Sequence, residues 1–214
     1  MRIAIPLFDQ MTALDAVGPY EVLSRPPGWE VTFVAAEPGP KRTETGALAL
    51  VADEPLDALP DPDIVVVPGG MGTRSPNHEE LIDWIRSAHE TTKWTTSVCT
   101  GSLLLGRAGL LEGLRATTYW TEVETLRQYG AEPVDDERVV EQGKIITAAG
   151  VSSGIDMALR LLQIELGDEL AQAVQLSIEY DPQPPVDAGS IQKAPPAIVE
   201  GLRNLIKGAE AARG

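Results

Sequence analysis

Cys99 is the single cysteine of the chain, and it stands where a β-branched run, Thr95 to Val98, passes directly into Thr100-Gly101-Ser102 and three leucines. A nucleophile at such a strand-to-helix turn is held at the top of a sheet by a strained backbone, which offers its reactive atom to a ligand. Placement at a helix N-terminus also predicts a thiol brought a unit or more below its usual ~8.5, toward thiolate. The alternative is an inert buried cysteine, and the elbow context favours the reactive one. Asp15, in Leu14-Asp15-Ala16-Val17-Gly18-Pro19, follows the first strand at the start of a helix. A carboxyl there can transfer protons or cap the helix, and position alone leaves both open. Pro68-Gly69-Gly70-Met71 ends another strand. Glycines let backbone N–H groups approach a ligand without Cβ obstruction, so the Gly70 and Met71 amides, joined by that of Thr100, are candidate donors to a developing negative charge.

Tyr119 and Trp120 follow a short strand expected over Ala116 to Thr118 that should end on the Cys99 side, which puts both beside the site as limits on the substrate. Core packing is the competing reading of the two rings. His78 and His89 are expected at the surface, and Glu21 on the helix surface or at a partner contact. Both histidines precede Cys99, so a Cys-His-acid triad that takes its base from later in the chain is impossible.

These residues need a scaffold, and the pattern of the chain supplies one. Short Val- and Ile-rich runs alternate with longer segments of helical period, the signature of βαβ units around a mostly parallel sheet with helices on both faces, an α/β fold. Arg2 to Leu7, Glu30 to Ala36, Ala47 to Val51 and Asp63 to Pro68 are expected strands, the last buried on both faces. Ala16 to Leu23, Glu79 to Glu90, Thr121 to Tyr129, Ser153 to Leu166 and Asp168 to Ile178 are expected helices. Arg138 to Val140 and Ile145 to Thr147 form a hairpin around Gln142-Gly143. Asp181-Pro-Gln-Pro-Pro185 opens an extended arm, and Pro196 to Ala212 closes the chain as a helix. In such sheets ligands bind beyond the carboxyl ends of the strands, where Gly69-Gly70 and Cys99 both fall.

With 214 residues and no low-complexity linker, the chain is expected to form one domain over 1–214, the Pro-rich arm and last helix at about 181–212 included. A net charge of −15 disfavours nucleic acid and anionic lipid as partners. No apolar run reaches the roughly 20 residues of a membrane span, and the start lacks a secretory signal, so a cytoplasmic location is expected. One cysteine can form neither an internal disulfide nor, without a Cys/His cluster, a structural zinc site.

Leu14 to Leu23, Val67-Pro-Gly-Gly70, Ser97-Val-Cys-Thr-Gly-Ser-Leu-Leu-Leu-Gly106 and Arg115-Ala-Thr-Thr118 together resemble the ThiJ/PfpI superfamily, which is glutamine amidotransferase-like. Gly154-Ile-Asp156, Gln175 to Tyr180 and Pro184 to Ser190 narrow the resemblance to the isonitrile hydratase branch, over about residues 2 to 200. The resemblance implies a flavodoxin-like sandwich, a homodimer, and hydration of an isonitrile to an N-substituted formamide without metal or organic cofactor. It implies Cys99 as nucleophile, Asp15 as proton-transfer group and Thr100 as an organiser of the site. Attack by a Cys99 thiolate on the terminal carbon, with a proton from Asp15, would give a thioimidate that water then opens. Relatives often carry Thr-Thr-His-Trp where this chain has Thr117-Thr118-Tyr119-Trp120, and superfamily proteases carry His where this chain has Thr100. Two other functions remain open at this point, a glyoxalase or deglycase activity on α-oxoaldehydes and a non-enzymatic redox sensor built on Cys99.

Overall fold

β1 (Arg2–Pro6) leads into α1 (Ala13–Leu23), β2 (Glu30–Ala35), a hairpin of β3 (Gly39–Arg42) and β4 (Ala49–Ala52), and the short β5 (Glu54–Pro55). The middle of the chain supplies β6 (Ile64–Val67), α2 (Glu79–Thr91), β7 (Trp94–Val98) and α3 (Gly101–Arg107). After β8 (Arg115–Ala116) and β9 (Glu132–Pro133) come β10 (Val139–Gln142), β11 (Ile145–Ala148), α4 (Ser153–Leu166), α5 (Asp168–Ser177) and α6 (Pro196–Ala211). Seven strands form the main sheet in the order β10-β11-β7-β6-β1-β2-β5. All its pairings are parallel except β10 with β11. The order reverses between β1 and β6, because the chain first builds outward through β2 and β5 and then returns to the other side of β1. That reversal opens a crevice at the carboxyl ends of the strands.

Burial explains the arrangement. All four residues of β6 are buried, as a central strand covered on both faces requires, and each such side chain contributes roughly 1.5–3 kcal/mol. In α2 the buried residues are Leu81, Ile82, Trp84, Ile85 and Ala88, one stripe at helical spacing. The helices α2 and α3 pack together and against β6, while α1, α4 and α5 form the opposing layer. Small residues set the approach of α1 to α4: a Cβ on Gly154 would lie 3.0 Å from Val98 and 3.1 Å from Pro19, and one on Gly18 3.1 Å from Ile155.

The structure, a computed structural model, describes residues 1–211. They form two compact units, Met1–Glu179 and a unit from Tyr180 onward that holds an irregular segment and α6. The final residue of the expected last helix, Ala212, lies outside the described residues. Three expectations change. Val123–Tyr129 is a 3-10 helix, consistent with its two buried residues, Val123 and Leu126, being three apart. The strand expected at Ala47 to Val51 pairs with β3, outside the main sheet. The strand expected over Ala116 to Thr118 stops at Ala116, because the next two residues turn their polar groups to other elements: Thr117 N–H donates to Thr147 Oγ1 (2.9 Å) and Thr118 Oγ1 to the Cys99 carbonyl (2.9 Å).

Candidate active site

Three parallel strands bring the site together. The chain leaves β1 toward α1 and Asp15, leaves β6 at Gly69-Gly70, and leaves β7 at Cys99. Cys99 has φ 57, the left-handed region that a side chain occupies at a cost. The strain is held by bonds on both sides of the residue. Its N–H donates to the carbonyls of Ala148 (3.1 Å) and Ala149 (3.2 Å), and its own carbonyl accepts from Thr118 Oγ1 and from Ser102 Oγ (3.2 Å). Close behind it, a Cβ on Gly101 would fall 2.1 Å from the Val67 carbonyl oxygen, so only glycine lets α3 start there.

Asp15 is fully buried. It lies in the first turn of α1, whose N-cap is Thr12. The capping alternative therefore fails: Asp15 Oδ2 accepts from Gly69 N–H (2.9 Å), a group of the neighbouring strand end. Burial raises its carboxyl to about 7, opposed by the Gly69 N–H and by the Cys99 thiol. Its Oδ1 has no partner of hydrogen-bonding geometry, although the thiol lies near enough to favour the charged carboxylate. A buried carboxylate oxygen without a donor is expensive, which marks Oδ1 as a candidate for a functional role.

The thiol departs from expectation in the opposite sense. Cys99 is 4% exposed, and burial, then the Asp15 charge, push its thiol well above the usual cysteine range. The N–H and hydroxyl of Thr100 favour the thiolate but are outweighed. The thiol is raised, not lowered as a helix N-terminus would have it, because burial beside a carboxylate raises it and α3 has only seven residues.

The glycine turn also differs from the expected pair of open donors. Gly69 N–H goes to Asp15, Gly70 N–H goes to Thr100 Oγ1 (2.8 Å), and Met71 N–H goes to Glu44 Oε2 (3.3 Å). Thr100 Oγ1 donates back to the Gly70 carbonyl (3.1 Å), and Thr12 N–H donates to the Gly69 carbonyl (2.9 Å). Three successive amides are thus each held by a residue of the site. Space is equally committed: a Cβ on Gly69 would meet Thr100 N at 2.5 Å and Asp15 Oδ2 at 2.9 Å.

Tyr119 and Trp120 are half-buried, their ring centroids 5.9 Å apart. Tyr119 packs so close to Gly150 that a Cβ there would be 2.6 Å from its ring. Burial raises its phenol, opposed by a hydrogen bond from Trp120, with smaller upward effects from Cys99 and Glu44. The histidines stand apart from this group. His78 Nε2 bonds the Gly72 carbonyl (2.8 Å) and His89 Nδ1 bonds Thr95 Oγ1 (2.8 Å). Both are half-buried rather than on the surface as expected, since each ring closes a loop or strand end.

Glu44 and Thr118 escaped the sequence reading. Glu44 sits between β3 and β4, in a stretch without a motif, and the pairing of those strands together with a bridge from Thr43 to Met11 carries it to Met71. Thr118 was visible in the Thr-Thr pair, but its bond to the Cys99 carbonyl was not.

The model of the DJ-1/PfpI family matches residues 1–164. Isonitrile hydratase of Pseudomonas putida is 44% identical over 204 residues, 95% of this chain and 89% of that one. Among solved structures, a ThiJ/PfpI family protein from Pseudomonas syringae superposes with a TM-score of 0.92 at 34% identity, covering 97% of this chain and 86% of the other. Oxidised DJ-1 of Toxoplasma gondii shares the fold, with a TM-score of 0.73 at 24% identity over 85% of this chain and 99% of its own.

Proposed function

The chain belongs to the DJ-1/PfpI family, and we propose that it is a cysteine-dependent enzyme of that family which adds water to an isonitrile, giving an N-substituted formamide. The observation that carries the reading is the buried pair itself: a thiol pushed up and a carboxyl raised to about 7, side by side, with no histidine joining them. Near neutral pH the thiol keeps its proton while the carboxyl titrates, so the Asp15 carboxylate is the base at hand to take that proton and place it where a reaction needs it. The similarity to isonitrile hydratase of Pseudomonas putida supplies the substrate class.

Isonitriles accept a proton and a nucleophile at the same terminal carbon, which suits this pair. Asp15 takes the Cys99 proton; the thiolate attacks the carbon while the Asp15 carboxyl returns the proton to it, forming a thioimidate. The Asp15 carboxylate then draws a proton from water as its oxygen attacks the same carbon, and that proton passes to the nitrogen. Collapse of the tetrahedral adduct breaks the C–S bond, releases the formamide and restores the thiol. One isonitrile and one water give one formamide, with no change in oxidation state of the protein. Thr100 holds the glycine turn and stabilises the thiolate, while Tyr119 and Trp120 bound the substrate's organic group. Gly70 and Met71 position the site through the bonds they already make.

The wider reading is of a homodimer acting on a small neutral electrophile in the cytoplasm, without cofactor or nucleic acid. The exposed apolar residues Leu176 on α5 and Ile198, Leu202 and Leu205 on α6 support self-association. Among the described residues no helix is long and apolar enough to cross a membrane. Turnover of p-nitrophenyl isonitrile set beside methylglyoxal tests the activity. Formamide production that requires Cys99 supports it, and consumption of methylglyoxal alone would replace it with the α-oxoaldehyde reading.

A further inference from the structure

Glu44 is the half-buried member of a site whose other acid and thiol are buried. Its Oε1 accepts from Thr12 Oγ1 (2.9 Å), its Oε2 from Met71 N–H (3.3 Å), and its own N–H donates to the Met11 carbonyl (3.0 Å). Both carboxyl oxygens face donors, which is the bonding of an ionised carboxylate. These anchors tie it to the residue capping the Asp15 helix and to the residue after the glycine turn. Its charge is one of the smaller influences that raise Asp15, Cys99 and Tyr119, so all three lie within its reach.

We propose that Glu44 determines specificity by charge: fixed between Thr12 and Met71 N–H, its carboxylate repels anionic electrophiles from Cys99, admits neutral ones, and occupies an amide that could otherwise bind an oxyanion. This deepens the isonitrile reading, since an isonitrile is neutral overall and its hydration needs proton transfer more than a pocket for negative oxygen. An α-keto acid, by contrast, would bring its carboxylate against Glu44. The nearby Asp15 adds to the repulsion when ionised, but it is bonded to Gly69 and buried, whereas Glu44 meets solvent. Among the described residues no cation is bonded to Glu44 to cancel the charge; its carboxylate is held by the Thr12 hydroxyl and the Met71 N–H.

The test does not depend on isonitrile turnover. Because the chain has one cysteine, alkylation counts Cys99 alone: the thiolate displaces iodide from iodoacetamide, which is neutral, or from iodoacetate, which is anionic. In the wild type the iodoacetate-to-iodoacetamide rate ratio should lie at least about tenfold below that of a small free thiol at the same ionic strength. In Glu44→Gln, which keeps an acceptor for Met71 N–H and removes the charge, the ratio should recover by about tenfold, a value between the limits for water and for a protein surface. Glu21→Gln removes an exposed carboxylate paired with Arg25 and serves as the control for net charge. The proposal is overturned by a wild-type ratio equal to that of the free thiol, by no change in Glu44→Gln, or by an equal change in Glu21→Gln. If the ratio behaves as expected while isonitriles are not turned over, the charge filter stands and the hydratase reading falls.

Discussion

Two neighbouring strand ends, those of β6 and β7, were built for opposite purposes. The β6 end has no side chain at Gly69 or Gly70, and every amide from Gly69 to Met71 is bonded to a site residue. The β7 end carries the proposed nucleophile, a strained φ of 57 and a thiol held at high proton affinity. Every amide of the glycine turn is bonded, whereas Asp15 Oδ1, beside the thiol, is left without a hydrogen-bond partner. A glycine turn beside a nucleophile is thus not automatically a pocket for negative oxygen. Here it is a clamp.

Substitutions at the two ends can break this contrast, and the largest effect belongs to the nucleophile. Cys99→Ala should abolish isonitrile turnover while leaving the fold, since Ala tolerates the same site at the cost of the same strained φ. Residual turnover above background, measured with protein of normal thermal midpoint, would remove the cysteine from the mechanism.

Asp15→Asn should lower the rate by about 10²-fold or more, because an amide can neither accept the thiol proton nor return it. Asn can still accept the Gly69 N–H, so the clamp survives. In the wild type the rate should fall as pH drops below about 7, where Asp15 becomes protonated and can no longer take the thiol proton. Stability supplies an independent reading with its own sign. Native Asp15 holds its proton to about 7 whereas an unfolded aspartate loses it near 3.9, so the native state binds the extra proton in that window and wild-type stability falls as pH rises through it. The difference in thermal midpoint between wild type and Asp15→Asn should therefore shift in favour of the variant from pH 4 to pH 8. A constant difference would mean that Asp15 titrates normally.

On the clamp side, Gly69→Ala should cost about 1–3 kcal/mol, because its Cβ would meet backbone at Thr100 and the Asp15 carboxylate. The displaced pair should lose on the order of tenfold in rate. Equal stability and rate in a melting and turnover comparison would show that the turn has slack. Thr118→Val is the mildest change: one bond to the Cys99 carbonyl is lost, worth about 1 kcal/mol, and the rate should drop only a few-fold. An effect as large as that of Asp15→Asn would mean the elbow depends on that single support.

Most of the scaffold was legible because burial imposes its period on the chain. Ser153–Leu166 was recovered to the residue, and the apolar stripe of α2 turned out to be its buried face. Cys99 announced itself by falling between a β-branched strand and a leucine-rich helix. Asp15 was legible as a candidate, but not as a buried one: nothing local separates a helix cap from a carboxylate bonded to an amide 54 residues away.

The remaining facts arise between distant segments, and local pattern carries no signal for them. Whether a thiol is raised or lowered depends on which of two opposed effects is larger, a short helix's field or desolvation beside a carboxylate, and only packing sets the second. Whether a backbone amide is free depends on an acceptor arriving from elsewhere, as Glu44 does for Met71 by way of β3 and β4. The residues capable of chemistry were thus written into their types and neighbours. Their protonation, their bonds and the charge at the rim of the site were decided by the sheet that brought three strand ends together, because electrostatic and hydrogen-bond energies follow distance in space and are indifferent to distance along the chain.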